Sequence, residues 1–402
     1  MNVWLVLSIQ CLVSVWFLNS GGKVMWCKYS AISVAVLGVL MTGSSVAAEF
    51  EPLSVKAGAF DVTPALALTV GRDSNVGLSN GAKTSTNFTL LNPSVIIGLP
   101  VHGQMYGAKY SGLFGRYTGS RTDNYNDHNF DLFADNVWSS RLNTLVKVDY
   151  LKGHDSRNAL LFKNKELWHA TGLSAMGHYG VEGAQGQFEL AAGKMSKRYD
   201  SNNSGFTPIY DHDRTDLSGT FFYRVAPATR MFVEASHSKF NYVIALPGKN
   251  LDSSQQSYMV GVKWDATAKT TGSVKFGTTK KSFDSGLLPS GSFAVWDAKV
   301  TWAPKTYSRL DASLKQGANE YGGLGSFMQT RDADFNWMHD WTSYVTSTLS
   351  FGDGSDNFQA ATRVDKRQHY GARVTYGFRT WLRAGVEYQH SKRTSTDPLV
   401  GY

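Results

Sequence analysis

The chain has 402 residues, 18% charged and 13% aromatic, with 39 Gly, 10 Pro and a formal net charge of +8. That composition excludes a disordered, collagen-like or coiled-coil protein. A mean hydropathy of −0.26 also excludes a bundle of membrane helices, each of which needs about 20 apolar residues, so any membrane crossing must use strands.

Residues 1–48 differ from the rest. They hold both cysteines (Cys11 and Cys27), two lysines (Lys23 and Lys28), and no Asp or Glu. Apolar stretches cover 3–18 and 31–41; the second has a lysine upstream and Val46-Ala47-Ala48 downstream. A basic start, a short apolar run and small residues before a cut are the layout of a secretory leader. The leader is predicted to begin at Met25 and to be cut after Ala48. Residues 1–24 then form an upstream extension, with an N-terminal helical anchor as the alternative. Residues 49–402 contain no cysteine, so neither disulfides nor thiolate chemistry are expected. Their 38 Lys and Arg against 32 Asp and Glu leave a charge of +6. Nucleic acid is not an expected partner, since no recognition motif accompanies that charge.

Beyond the leader, aromatic residues stand just before short polar turns at Trp138, Tyr179, Tyr223, Trp264, Trp302, Trp341 and Phe378. The last three intervals are 38, 39 and 37 residues, a beat of about 40 that marks an internal repeat. The turns read alike, as in Ala226-Pro227-Ala228-Thr229 and Ala303-Pro304-Lys305-Thr306. Each is a tight connection between two strands. On either side the residues alternate with period two: Tyr258, Val260, Val262 and Trp264 against Met259, Gly261, Lys263 and Asp265. Such alternation marks a strand with two unlike faces. Longer polar stretches, such as 199–212 and 243–256, separate the hairpins.

In chain order the strands are predicted at 62–71, 88–98, 104–114, 128–138, 141–152, 167–179, 184–196, 213–225, 229–241, 255–265, 269–281, 293–303, 306–318, 330–340, 343–352, 367–377 and 380–392. Short turns alternating with long loops, and apolar faces with polar ones, predict an all-β, transmembrane antiparallel up-and-down barrel over 49–402. Its environment is outer-membrane lipid in a Gram-negative bacterium. Propeller blades also repeat at about 40 residues, but they need four strands per repeat, and these repeats hold two. Seventeen strands are present where bacterial barrels use an even number, so an eighteenth, C-terminal strand is expected to be missing. Aromatics before the short turns should form the periplasmic girdle, and Tyr199, Phe240, Phe283 and Tyr321 the outer one. Pro93 conflicts with its strand, because a closed ladder has no free edge; a bulge or a later strand start would resolve this.

The segment 125–157 carries Tyr125, Asp127 and His128, then Ser140-Arg141-Leu142, then Tyr150, Gly153-His154-Asp155 and Arg157. With the hairpins that follow, it resembles the β-barrel porin family found with capsular and exopolysaccharide synthesis loci, which includes the capsular polysaccharide synthesis outer-membrane proteins. The resemblance spans most of 60–395. It implies an integral outer-membrane protein serving export or assembly of a surface polysaccharide, with an anionic polysaccharide and the export machinery as partners. The departure from the family is at the C-terminus, where the closing strand with its terminal aromatic is absent.

Asp127-His128 and His154-Asp155-Ser156 come nearest to a catalytic cluster. Sequence neighbours in a strand point to opposite faces, so no relay and no enzyme are expected; a barrel lipase or protease is the third reading. The ten histidines lack paired metal-ligand spacing, and neither metal nor cofactor is expected. The polar face is more informative. Its basic positions are Lys109, Lys147, Arg224, Lys263, Lys275, Lys299, Arg309, Lys315, Arg373 and Arg383; its acidic ones are Asp149, Glu189, Glu234, Asp297, Asp311 and Glu387. Ten against six predicts a lumen that favours anions, unless opposite charges pair across the wall. A passive path for an acidic glycan follows, with a general diffusion porin for small anionic solutes as the alternative.

Overall fold

The computed structural model describes residues 2–11, 54–158, 162–181, 183–244, 250–267, 269–320, 327–359 and 361–397. Every predicted strand is present, generally extended at its outer end. In chain order they are β1 (Asn2–Cys11), β2 (Val55–Ala57), β3 (Phe60–Asp73), β4 (Thr86–Val101), β5 (Gln104–Tyr117), β6 (Tyr125–Val137), β7 (Leu142–Asp155), β8 (Glu166–Tyr179), β9 (Gly186–Tyr199) and β10 (His212–Ala226). The remainder are β11 (Thr229–Tyr242), β12 (Ser253–Thr267), β13 (Thr270–Phe283), β14 (Gly291–Lys305), β15 (Ser308–Asn319), β16 (Met328–Asp340), β17 (Val345–Phe358), β18 (Val364–Arg379) and β19 (Leu382–Ser395). From β3 to β19 each strand pairs antiparallel with its neighbours in sequence.

The ring is completed by a segment that the sequence pattern assigns elsewhere. β1 lies between β19 and β3 and is antiparallel to both, from Asn2↔Ser391 to Cys11↔Leu382 on one side and from Trp4↔Asp73 to Cys11↔Leu66 on the other. Eighteen long strands thus form one closed sheet. The vacant place predicted for a C-terminal strand is filled by residues read above as a leader extension or a helical anchor. Apolar residues from Val3 to Leu7 suit a strand as well as a helix, because periodicity cannot separate the two in a short apolar run. The predicted start at Met25 and cut after Ala48 lie outside the described residues.

Alternation places apolar side chains on the outside, with Leu132, Leu190 and Phe276 each about 60% exposed. In water so wide an apolar belt would drive aggregation; in a bilayer it is the lipid face. Six of the seven aromatics predicted for the periplasmic girdle, Trp138, Tyr179, Tyr223, Trp302, Trp341 and Phe378, are exposed, and Trp264 is half-buried. The outer girdle is not where the sequence predicts it. Phe240 and Phe283 are buried, and Tyr199 donates its hydroxyl to Asp155 Oδ2 at 2.8 Å, so these three point inward; Tyr321 lies outside the described residues. Exposed Phe130, Tyr150, Tyr258, Phe351, Tyr370 and Tyr388 take that place instead. They sit several residues inside the strand ends, because strands of 14 to 16 residues overrun the roughly 9–11 that a bilayer requires.

Pro93 is accommodated by neither a bulge nor a later start. The β4–β5 register is unchanged on either side, from Leu91↔Phe114 to Ser94↔Ser111, and omits only Asn92 and Pro93. That register sets Pro93 opposite Gly112, whose carbonyl instead accepts the Asn92 side-chain amide. The neighbouring side chain thus replaces the missing N–H donor. The same two strands join through His102-Gly103, both with positive φ (48° and 82°), the two-residue turn whose twist matches a hairpin.

Directly opposed residues in an antiparallel pair lie within disulfide reach. In a Cys27→Ser background, Leu382→Cys should therefore cross-link to Cys11 on mild oxidation of the membrane-inserted chain, read as a mobility shift reversed by reductant. A chain cut after Ala48 would give no such link.

Candidate functional site: the lumen and its outer mouth

Four of the ten predicted lumen cations are neutralised by carboxylates. Lys147 Nζ lies 2.7 Å from Asp131 Oδ1, Lys275 Nζ 2.9 Å from Glu234 Oε2, Arg309 Nε 2.9 Å from Asp311 Oδ2, and Arg373 Nη2 2.6 Å from Glu387 Oε2. Lys109, Lys263, Lys299 and Lys315 make no ion pair among the described residues. Arg224 and Arg383 lie at the periplasmic ends of β10 and β19. Counting positions on the polar face therefore overstates the free positive charge, because pairing depends on register.

Register also shows where the remaining charge collects. One row across the wall runs Arg230, Lys263, Ser273, Lys299, Ser313, Asp334, and the row beside it Phe232, Gly261, Lys275, Asp297, Lys315, Asp332. The wall from β11 to β15 is thus rich in cations. Carboxylates gather on other parts of the wall, Asp131, Asp135 and Asp149 on β6 and β7 and Asp332 and Asp334 on β16, with Asp131 paired to Lys147 and Asp332 to Arg367. Of these the sequence list above holds only Asp149. Period-two alternation within the predicted strands 128–138 and 330–340 puts Asp131 with Asp135 and Asp332 with Asp334, and on 229–241 puts Arg230 with Glu234, so the same reading carried through every strand would have found them. The lumen is divided by charge rather than uniformly basic.

On β16–β18 the charges are spent on structure. Arg367 bridges Asp356 (2.7 Å) and Asp332 (2.7 Å). Asp365, fully buried, accepts from Arg363 Nη2 at 2.6 Å, Arg393 Nε at 2.9 Å and Ser395 Oγ at 2.5 Å.

At the outer mouth, the loops after β7, β9, β11 and β13 pack together. Phe162, Tyr210 and Leu251 form a buried cluster against Tyr199, Phe206, Ile209, Tyr242 and Leu288. Phe162 meets Tyr199 edge-on at 5.6 Å. Below the cluster, Lys197 Nζ lies 4.5 Å from the Trp168 ring, and Lys281 Nζ 4.4 Å from the Phe240 ring. Lys281 is completely buried and pairs with Glu320, which also accepts the Tyr242 hydroxyl at 2.9 Å. Burial pushes the Tyr210 phenol up to about 12. Because Tyr199 and Tyr242 project from the polar faces of their strands, these loops fold inward over the β7–β13 side of the mouth.

The motif that carries the family resemblance divides between the two ends of the barrel. Ser140 and Arg141 lie in the periplasmic turn, where Gly180 N–H donates to the Arg141 carbonyl at 2.7 Å; Tyr150 is on the lipid face. The others gather at the outer ends of β6 and β7. Tyr125 stacks on His154 at 4.1 Å, Asp127 binds His154 Nδ1 at 2.9 Å, and His128 contacts the Tyr110 hydroxyl at 3.1 Å. Gly153 lies against Trp168, Asp155 accepts the Trp168 N–H at 3.1 Å, and Arg157 makes a forked pair with Asp123 at 2.6 and 2.7 Å. Opposed faces do keep Asp127 from His128 and His154 from Asp155. They do not keep Asp127 from His154, which comes from the next strand.

A closed antiparallel barrel with an apolar outer belt, an aromatic periplasmic girdle and a charged lumen is an integral outer-membrane barrel protein of a Gram-negative bacterium. The chain belongs to the family described as "Putative beta-barrel porin 2", whose model matches residues 47–402. No curated protein matches it. Among solved structures it is similar to the FrpB iron transporter of Neisseria meningitidis in its apoprotein form, at 10% identity and a TM-score of 0.49, covering 81% of this chain and 67% of that one. It is also similar to the siderophore receptor PiuA of Acinetobacter baumannii, at 8% identity and a TM-score of 0.41, covering 85% and 82%.

Breaking a buried charge pair costs about 3–5 kcal/mol, and Asp365 is the carboxylate shared by buried Arg393 and half-buried Arg363. Asp365→Asn should therefore lower the temperature at which the folded barrel loses its compact mobility in detergent gels, whereas Asp353→Asn, at an exposed position, should leave that temperature unchanged.

Proposed function

We propose that the protein is a passive outer-membrane conduit that guides an acidic glycan during export or assembly of a surface polysaccharide. The observation that supports this most is the cationic wall of β11–β15. Three lysines that make no ion pair among the described residues, Lys263, Lys299 and Lys315, present charge to the lumen there. Cations lining a pore favour anionic solutes, and such a band binds a polyanion weakly at many points, letting it slide. The porin family assignment supports a path through the barrel, and the resemblance of segment 125–157 to barrels of polysaccharide loci supports the glycan. The inward-folded loops between β7 and β13 narrow that side of the mouth, so passage would run along the other side. A general porin for small anions uses the same wall, and the narrowing at the outer mouth is the feature that favours it.

The two readings separate in the cell. Deleting the gene should deplete surface polysaccharide and enlarge its periplasmic pool, with both restored by the wild-type copy. Unchanged surface polysaccharide would leave the small-solute porin as the function.

A further inference from the structure

The outer mouth holds an arrangement that passage does not use. Asp127, near the start of β6, and His154, near the end of β7, meet where the ladder between these strands stops, at His128↔Lys152. His154 Nδ1 lies 2.9 and 3.0 Å from the two oxygens of Asp127. An ionised carboxylate only accepts, so Nδ1 carries the hydrogen and Nε2 offers its lone pair. Ser156 Oγ lies 3.4 Å from Nε2 and can donate to it. Ser156 is the first residue beyond β7, which ends at Asp155.

The surroundings hold this line in place. Tyr125 stacks on the imidazole with 25° between the planes, and itself packs on Tyr117 of the buried Val76, Phe88 and Tyr117 cluster. The chain after Ser156 is pinned by the Arg157–Asp123 pair and by Asn158 Nδ2 donating to the Gly77 carbonyl at 2.8 Å. His154 is largely covered, at 12% side-chain exposure, while Ser156 is exposed to solvent. A nucleophile, a base and an acid that orients the base are the three parts of hydrolytic triads on unrelated folds.

We infer that Ser156, His154 and Asp127 form a serine esterase site at the outer mouth, acting on carboxylic esters with short acyl groups. Short acyl groups are indicated by the polar setting of Ser156, among Asp155, Arg157 and Asn158. Ser156 Oγ attacks the ester carbonyl carbon as its proton passes to His154 Nε2. The tetrahedral adduct collapses, the carbon–alkoxide bond breaks, and the alcohol leaves with the proton from Nε2. Water then gives a proton to Nε2 and attacks the acyl-serine. The acid departs, and Ser156 recovers its proton. Asp127 is a positioning residue: it fixes the tautomer and stabilises the imidazolium. This activity does not depend on the passage reading, since it is measured on the isolated barrel.

The test uses the full chain folded in detergent, with folding checked by heat-modifiable mobility, p-nitrophenyl acetate as substrate and a fluorophosphonate probe located by mass spectrometry. The site predicts labelling at Ser156 that is lost in His154→Ala. It also predicts hydrolysis lower by at least about 100-fold in Ser156→Ala, and in Asp127→Asn a kcat lower by at least about 10-fold at unchanged KM. Absence of label at Ser156, or labelling that survives His154→Ala, would overturn the proposal.

Discussion

The whole structure depends on the requirement that no backbone N–H or C=O be left unpaired in hydrocarbon. Each such group costs several kcal/mol there, so a sheet in a membrane has to meet itself. Seventeen consecutive strands would bring the first and last together parallel, against the all-antiparallel, even-stranded pattern of bacterial barrels. The place between β3 and β19 therefore requires one more antiparallel strand. Residues 2–11 supply it, pairing ten residues with β19 and eight with β3. The Asn92 amide beside Pro93 answers the same requirement at the scale of a single carbonyl.

Closure also decides what the inner face can be. Once the outer face is given to lipid, every polar residue of the alternating pattern is turned into a shared interior, where charges on different strands become neighbours. Some pair and stiffen the wall, as Arg367 does with Asp332 and Asp356. Others stay open to the lumen and set its field. With lysines that make no ion pair among the described residues on β12, β14 and β15, and carboxylates gathered on β6, β7 and β16, a solute meets an oriented field rather than a uniform one. In a low-dielectric enclosure such fields act more strongly than the same charges would on an exposed surface.

The strands were legible because a lipid-facing barrel writes its two faces as strict alternation, and the short turns because each follows an interfacial aromatic. The outer girdle was not, since Tyr199, Phe240 and Phe283 stand at strand ends that pass beyond the bilayer and turn inward. Residues 2–11 were illegible as a strand: an apolar run next to leader-like sequence carries no period. Within the lumen the cationic positions could be read off one strand at a time. Their partners could not, because the pairing of Lys147 with Asp131 or of Lys275 with Glu234 depends on which strands adjoin. The meeting of Asp127 with His154 lies further still from the sequence. It needs two residues 27 apart in the chain to meet where their strands diverge, and no local spacing records that.

The central claim, that the barrel is an open path whose β11–β15 wall selects by charge, is tested most directly by the reversal potential of the purified full chain in planar bilayers under a salt gradient. The account predicts anion selectivity that turns cation-selective when Lys263, Lys299 and Lys315 are together replaced by Glu. A barrel that does not conduct, or one whose reversal potential is the same with and without those lysines, would contradict it.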